Sequence, residues 1–264
     1  DMLDVWRVTD ELTVFDSCWN FDHFYPLVGD SKGPCMEAWV TLTALAANTS
    51  RVRIGCMVNG APYRHPSVTA NMAATLDIVS NGRLNLGLGA GWHEEECEAY
   101  GIDLLPMKDR MDRFEEAVPV ICQLLTQEYT TFQGRYYALN DARCEPKGPQ
   151  VGGPPIVIGG GGEKRTLSIV ARYADHWNLP FASTEQFQQK HEVLKKHCEN
   201  VGRDVSEIEC SIQVAWSAET STDEAAEIVQ GLEAVGVDTV IFSLRPPYRT
   251  QTVEKLAERL SGLS

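Results

Sequence analysis

Apolar positions along the chain fall into two alternating patterns. Short runs rich in β-branched and aromatic residues lie at 16–21, 52–58, 83–88, 156–158, 175–179, 208–217 and 239–244. Between them, apolar residues recur at helical spacing over 66–79, 108–126, 163–173, 184–200, 221–235 and 250–260. Alternation of this kind predicts βα units on a parallel sheet rather than separate all-α and all-β domains. Helix punctuation agrees: Pro66 suits a first helical position, Asn81-Gly82 a stop, and Thr222-Asp223-Glu224 an acidic start. A further helical pattern over 3–11 feeds the first strand. The count is about seven strands, so a closed eight-stranded barrel is expected to take its first strand from upstream of Asp1. The stretch 129–155 is too long for an ordinary βα loop and is expected to form an excursion over the barrel top. No repeat at solenoid period interrupts the chain, which points to a single domain over 1–264.

Composition narrows the function. With 264 residues, 43% of them apolar, the chain can bury a sizeable core. A net charge of −14 repels nucleic acid and anionic lipid alike, so an anionic ligand needs a local positive pocket. The eight cysteines form no CxxC pair and no regular spacing, which predicts reduced thiols in a cytoplasmic protein. The first residues carry no basic or apolar leader pattern, and nowhere do eighteen apolar residues run together, so neither secretion nor a membrane span is expected.

In parallel α/β folds the chemistry gathers where strands end, which directs attention to four places. After the first strand come Asp22 and His23, an acceptor beside a group that changes protonation near neutral pH, as a proton-coupled redox step needs. A turn cap and an ordinary loop histidine would explain the same pair without chemistry. The second strand runs through Gly55-Cys56-Met57-Val58 into Asn59 and Gly60, where a backbone bulge against a flat ligand and simple strand-to-loop geometry fit equally well. His65 reads as a loop residue ahead of Pro66. The third strand ends in Gly87-Leu88-Gly89-Ala90-Gly91-Trp92, followed by His93 and Glu94-Glu95-Glu96. Glycines at alternate positions admit something bulky or planar, or else tight packing. Glu94 and Glu96 are expected to be first-turn carboxylates favoured by the helix dipole. His93 and Cys97 make half a metal site with no second half, so no metal is expected. The strongest signal is Gly159-Gly160-Gly161-Gly162 before Glu163-Lys164-Arg165, where exposed amides at a helix start and two cations suit a phosphate. The run lacks the spacing of a dinucleotide fingerprint and the Gly-Lys-Ser/Thr ending of a P-loop.

In combination, Asp22-His23-Phe24, Gly55-Cys56-Met57-Val58, Arg64-His65-Pro66, residues 76–83, the stretch 87–96 and Ile158 to Lys164 resemble the bacterial luciferase-like superfamily, and within it the F420-dependent oxidoreductases. The resemblance implies a (β/α)8 TIM barrel, partners limited to a small-molecule substrate and a second copy of the chain, and a deazaflavin across the barrel mouth with its phosphate in the loop of Gly159, Gly160, Gly161 and Gly162. It implies that Asp22 meets the polar edge of the ring and that His23 exchanges a proton with substrate. A non-prolyl cis peptide is implied at Met57–Val58, pressing a bulge with Asn59 against the ring, with Gly89, Ala90 and Gly91 beside it. Trp92 would wall the pocket and Glu95 reach the coenzyme's sugar-like chain. Sugar-phosphate dehydrogenases of the family carry glutamate where this chain has Trp92, so that substrate is not transferred. FMN, serving a monooxygenase, is the alternative coenzyme. A non-catalytic coenzyme-binding protein and a metal-dependent barrel hydrolase are the competing functions.

Overall fold

A computed structural model describes residues 2–263. In chain order, helix α1 (Met2–Glu11) leads into β1 (Ser17–Asn20), then α2 (Ala38–Ala47), β2 (Arg53–Cys56), β3 (Asn59–Gly60), α3 (Pro66–Val79) and β4 (Leu84–Gly89). There follow α4 (Glu94–Ala99), α5 (Met107–Thr126), β5 (Thr130–Gln133), β6 (Ala138–Ala142), β7 (Ile156–Gly159) and α6 (Thr166–Tyr173). The chain closes with β8 (His176–Pro180), α7 (Thr184–Val201), β9 (Glu209–Trp216), α8 (Thr222–Glu233), β10 (Thr239–Leu244) and α9 (Thr250–Leu260). The strands are mostly parallel, giving the expected α/β class. Contacts divide the chain into two compact units: 19–47 with 54–156, and the described residues before 19, 48–53 and from 157 onward.

The unit built on 54–156 centres on β4, buried at every position. Strand β2 pairs parallel to it through Ile54 and Leu84, and β3 through Asn59 and Leu88. Between β2 and β3 the Met57–Val58 peptide is cis, as the resemblance implied. There the chain leaves the ladder and rejoins it, so the strand expected over 52–58 ends at Cys56 and a short second strand, β3, follows beyond the expected span. Helices α3 and α5 pack against each other, and Phe114, Val118 and Ile121 of α5 are buried among the core side chains. His65 caps α3, its Nδ1 accepting the Ser67 amide at 3.2 Å, so it is the structural loop residue the sequence suggested. The stretch 129–155 contains the antiparallel pair β5–β6. Glu116 of α5 gathers its turn by accepting the amides of Arg135, Tyr136 and Tyr137.

In the second unit β7, β8, β9 and β10 run parallel, registered through Ile158 with Trp177, Trp177 with Cys210, and Ser211 with Thr239. Helix α7 begins in a capping box, Ser183 with Gln186, and stops at Gly202 with φ of 71°, the left-handed conformation glycine adopts freely. Asp10 of α1 accepts the amides of Ser50, Arg51 and Val52 and so clips that segment to the helix. Beneath, Trp216 meets Phe242 edge-on at 5.5 Å beside Ala225 and Leu256. Helix α6 starts three residues later than expected because 163–165 form a turn. Among the described residues no cysteine forms a disulfide, no acidic, histidine or cysteine cluster is placed to hold a metal, and no helix is long and apolar enough to cross a membrane.

Candidate active site

The turn after β1 carries the two residues the sequence singled out, and both are buried: Asp22 is 1% exposed and His23 9%. Burial of a carboxylate demands compensation, and Arg64 supplies it with two hydrogen bonds, Nη1 to Oδ2 at 2.6 Å and Nη2 to Oδ1 at 3.0 Å. The Gly60 amide adds a third at 3.1 Å, and Arg64 reaches Glu37 at 2.8 Å as well. Asp22 therefore spends both oxygens on the protein itself and locks the β3 turn to the β1 turn.

His23 has a different partner. Its Nδ1 lies 2.6 Å from Oε1 of Glu96, whose carboxylate also accepts the Tyr63 hydroxyl and, at 2.9 Å, the Phe24 amide. Glu96 is 0% exposed, so its expected role as a plain first-turn carboxylate is corrected: it points inward, while Glu94 and Glu95 face solvent. Burial pushes its pKa up, but hydrogen bonds from Tyr63, Phe24 and His23 outweigh this and hold the carboxyl below the usual range. Burial, with Glu96 beside it, pushes the Tyr63 hydroxyl far above the ordinary tyrosine value. His93 caps α4, its Nδ1 accepting the Glu96 amide at 3.3 Å.

Aromatic rings enclose His23. Trp92 meets it edge-on at 5.4 Å, Phe21 and His93 lie 5.7 Å away, and Trp92 stays 61% exposed. Asn59 is buried and donates from Nδ2 to the Gly87 carbonyl at 2.6 Å, which leaves its buried Oδ1 without a donor. Beside it, a small cavity lined also by Arg64, Thr69 and Phe114 has room for about one water. The alternate glycines serve the chain's own bulge: a Cβ on Gly87 would stand 2.0 Å from the Cys56 carbonyl oxygen, and one on Gly89 2.5 Å from Val58. Gly91 has φ of 81°, and its carbonyl accepts from Arg110 at 3.1 Å. Of the expected coenzyme contacts, Val58, Asn59 and Gly89 are gathered with Met57 at the bulge, and Asp22 joins them through Gly60. Ala90 is half-buried, and Glu95 lies exposed on α4.

The glycine loop belongs to the other unit. Gly159 ends β7; Gly160 follows with φ of 115°, donating its amide to the Asn178 carbonyl and accepting from the Trp177 indole at 2.8 Å. Lys190 of α7 reaches the Gly161 carbonyl at 2.8 Å and Glu163 at 3.4 Å, placing an ammonium on the loop. A Cβ on Gly161 would fall 2.7 Å from Leu179, and one on Gly162 2.8 Å from the Thr166 hydroxyl. Lys190 is thus a cation at the loop besides the Lys164 and Arg165 that the sequence offers, and no local pattern points to it because α7 follows a further strand. Sequence reasoning also missed Glu96, Tyr63 and Arg64. Only Cys97, apolar beside Glu96, marks which carboxylate of the run turns inward.

The site is thus a buried, carboxylate-tethered histidine at the carboxyl end of a strand in a parallel α/β fold. A family model described as luciferase-like monooxygenase matches residues 1–260, and the chain belongs to that family. It is 30% identical over 230 residues to an F420-dependent glucose-6-phosphate dehydrogenase of Amycolatopsis mediterranei (strain U-32), a match covering 84% of this chain and 66% of that protein. It is 32% identical over 199 residues to the pyrimidine monooxygenase RutA of Escherichia coli (strain K12 / DH10B), covering 72% of this chain and 49% of the relative. The chain thus spans about half to two thirds of the length of these curated relatives. Among solved structures, an F420-dependent secondary alcohol dehydrogenase in complex with an F420-acetone adduct superposes with a TM-score of 0.89 at 19% identity, over 99% of this chain and 94% of that one, and so shares the fold.

Proposed function

We propose that the chain is an F420-dependent oxidoreductase that exchanges a hydride between the deazaflavin and a small organic substrate, on the (β/α)8 scaffold the resemblance implies. The observation that carries the reading is His23: a buried imidazole, tethered by Glu96 at 2.6 Å and flanked by the exposed indole of Trp92. Relatives named as F420-dependent enzymes support the coenzyme. Local features fit such a group. The orphaned Oδ1 of Asn59 is a buried acceptor that a ring N–H would satisfy. Taken by itself, the loop 159–162 offers glycine amides and the Lys190 ammonium to a phosphate. Bound F420 would supply a carbon-centred hydride donor or acceptor. The chain's part is to hold the ring with Met57, Val58 and Asn59, to shield the pocket with Trp92, and to give or take a proton at His23. Glucose 6-phosphate is not carried over, because Trp92 stands where sugar-phosphate dehydrogenases of the family place glutamate. We further propose a cytoplasmic homodimer.

Titration of the purified protein with F420 and with FMN, followed by coenzyme fluorescence, tests the reading. Saturable F420 binding is expected, and His23→Ala should keep that binding while losing about 10²- to 10⁴-fold in turnover. Tight FMN binding with none for F420 would instead favour a monooxygenase, the second reading, which the family and the RutA likeness support. Binding without turnover in the unmodified protein would make it a coenzyme carrier.

A further inference from the structure

Two ring nitrogens of His23 could serve substrate, and the surroundings of Glu96 decide between them. Three groups converge on that one carboxylate: the Phe24 amide at Oε2, and the Tyr63 hydroxyl and His23 Nδ1 at Oε1. A backbone amide can only donate, and a hydroxyl whose pKa is pushed far up keeps its proton. The carboxyl is held below the usual range and therefore ionised at neutral pH, so it has no proton to offer. Nδ1 must then bring its own across the 2.6 Å contact.

We infer that Glu96 is a positioning residue that, anchored by Tyr63 and the Phe24 amide, holds His23 as its Nδ1–H tautomer and makes Nε2 the atom that exchanges the proton. The inference deepens the proposed function, on which its catalytic meaning rests. With an alcohol as substrate, the Nε2 lone pair would take the hydroxyl proton and His23 would become an imidazolium, while bound oxidised F420 would supply the acceptor for the hydride leaving the hydroxyl-bearing carbon as it becomes a carbonyl. In reverse, the imidazolium would return that proton to the carbonyl oxygen, with bound reduced F420 as the source of the hydride. Glu96 stays ionised in both directions and stabilises the imidazolium without itself being protonated. Trp92 and Phe21 fix the plane of the ring from its edges, and the His93 cap holds the first turn that carries Glu96.

Glu96→Gln tests this sharply. The Phe24 amide still requires an oxygen opposite it, so the new carboxamide turns its NH2 toward Nδ1, which must then accept, and the proton moves to Nε2. Tyr63→Phe keeps the carboxylate and should keep the tautomer. The experiment is nitrogen NMR of the protein with labelled histidines and no coenzyme, recorded at a pH where the ring is neutral, with the His23 signals assigned by their loss in His23→Gln. Protonated Nδ1 and bare Nε2 are expected in the wild type and in Tyr63→Phe, with the two resonances exchanging positions in Glu96→Gln. A wild-type ring protonated at Nε2, a measurement that needs no variant to fold, overturns the inference, as does a Glu96→Gln ring still protonated at Nδ1. F420 titration of the same samples separates the two ideas: absent binding removes the proposed function while the tautomer result stands.

Discussion

The Asp22–Arg64 pair shows how a single side chain can be indispensable without touching a substrate. With the Asp22 side chain 1% and the Arg64 side chain 15% exposed, the pair is largely removed from water, so deleting one partner strands the other. Arg64→Ala is expected to lower unfolding free energy by about 3–5 kcal/mol, read from denaturant midpoints. Arg64→Lys should recover only part of it, since an ammonium cannot reproduce two parallel bonds to one carboxylate. Asp22 and His23 were legible in the sequence because they sit side by side directly after a strand. Their partners were not, because Arg64 is 42 positions from Asp22 and Glu96 is 73 from His23, and no local pattern links residues that only folding brings together.

At the level of elements, the bulge between β2 and β3 depends on the absence of side chains at Gly87 and Gly89 of β4. Gly87→Ala would drive a methyl group to 2.0 Å from the Cys56 carbonyl oxygen, a backbone atom with no freedom to swing aside. A loss of about 1–3 kcal/mol, measured by thermal or chemical unfolding, is expected from overpacking of this kind. Strong periodicity made several elements readable to the residue: α3, β10 and α9 occupy the spans expected of them. Helix α2 escaped notice because Ala38–Ala47 is apolar nearly all round and offers no contrast between faces. The six residues of α4 are too few to establish a period. The glycines of 87–91 were recognised as a site of close approach, and the atoms nearest them are the protein's own: the Cys56 carbonyl at Gly87, Val58 at Gly89 and Pro62 at Gly91.

For the whole molecule, buried titratable groups set the pH range of the fold. Burial depresses the His176 pKa from 6.5, against the opposing pull of Glu209 and Asp238, so the native state prefers the neutral ring. Below about pH 6.5 the unfolded chain takes up the proton more readily, and the stability this group contributes is lost as pH falls. Burial likewise pushes the Cys210 thiol up to about 12, with Asp238 and Glu209 adding to it. Its contribution is complete below the ordinary thiol value of 9.0 and is lost as pH rises from there toward about 12. Denaturation midpoints should therefore be highest between these limits, and His176→Asn should flatten the acid limb. The parallel α/β class was readable from the alternation of strand and helix patterns, which survives any error in single boundaries. One exposed side chain gives the protein an optical gauge. Trp6, Trp39, Trp177 and Trp216 are buried and Trp19 is half-buried, whereas Trp92 stands 61% exposed, edge-on with the His23 imidazole. A water-borne quencher reaches that fluorophore before the buried ones, so its emission registers occupancy of the histidine's surroundings directly, with no attached dye.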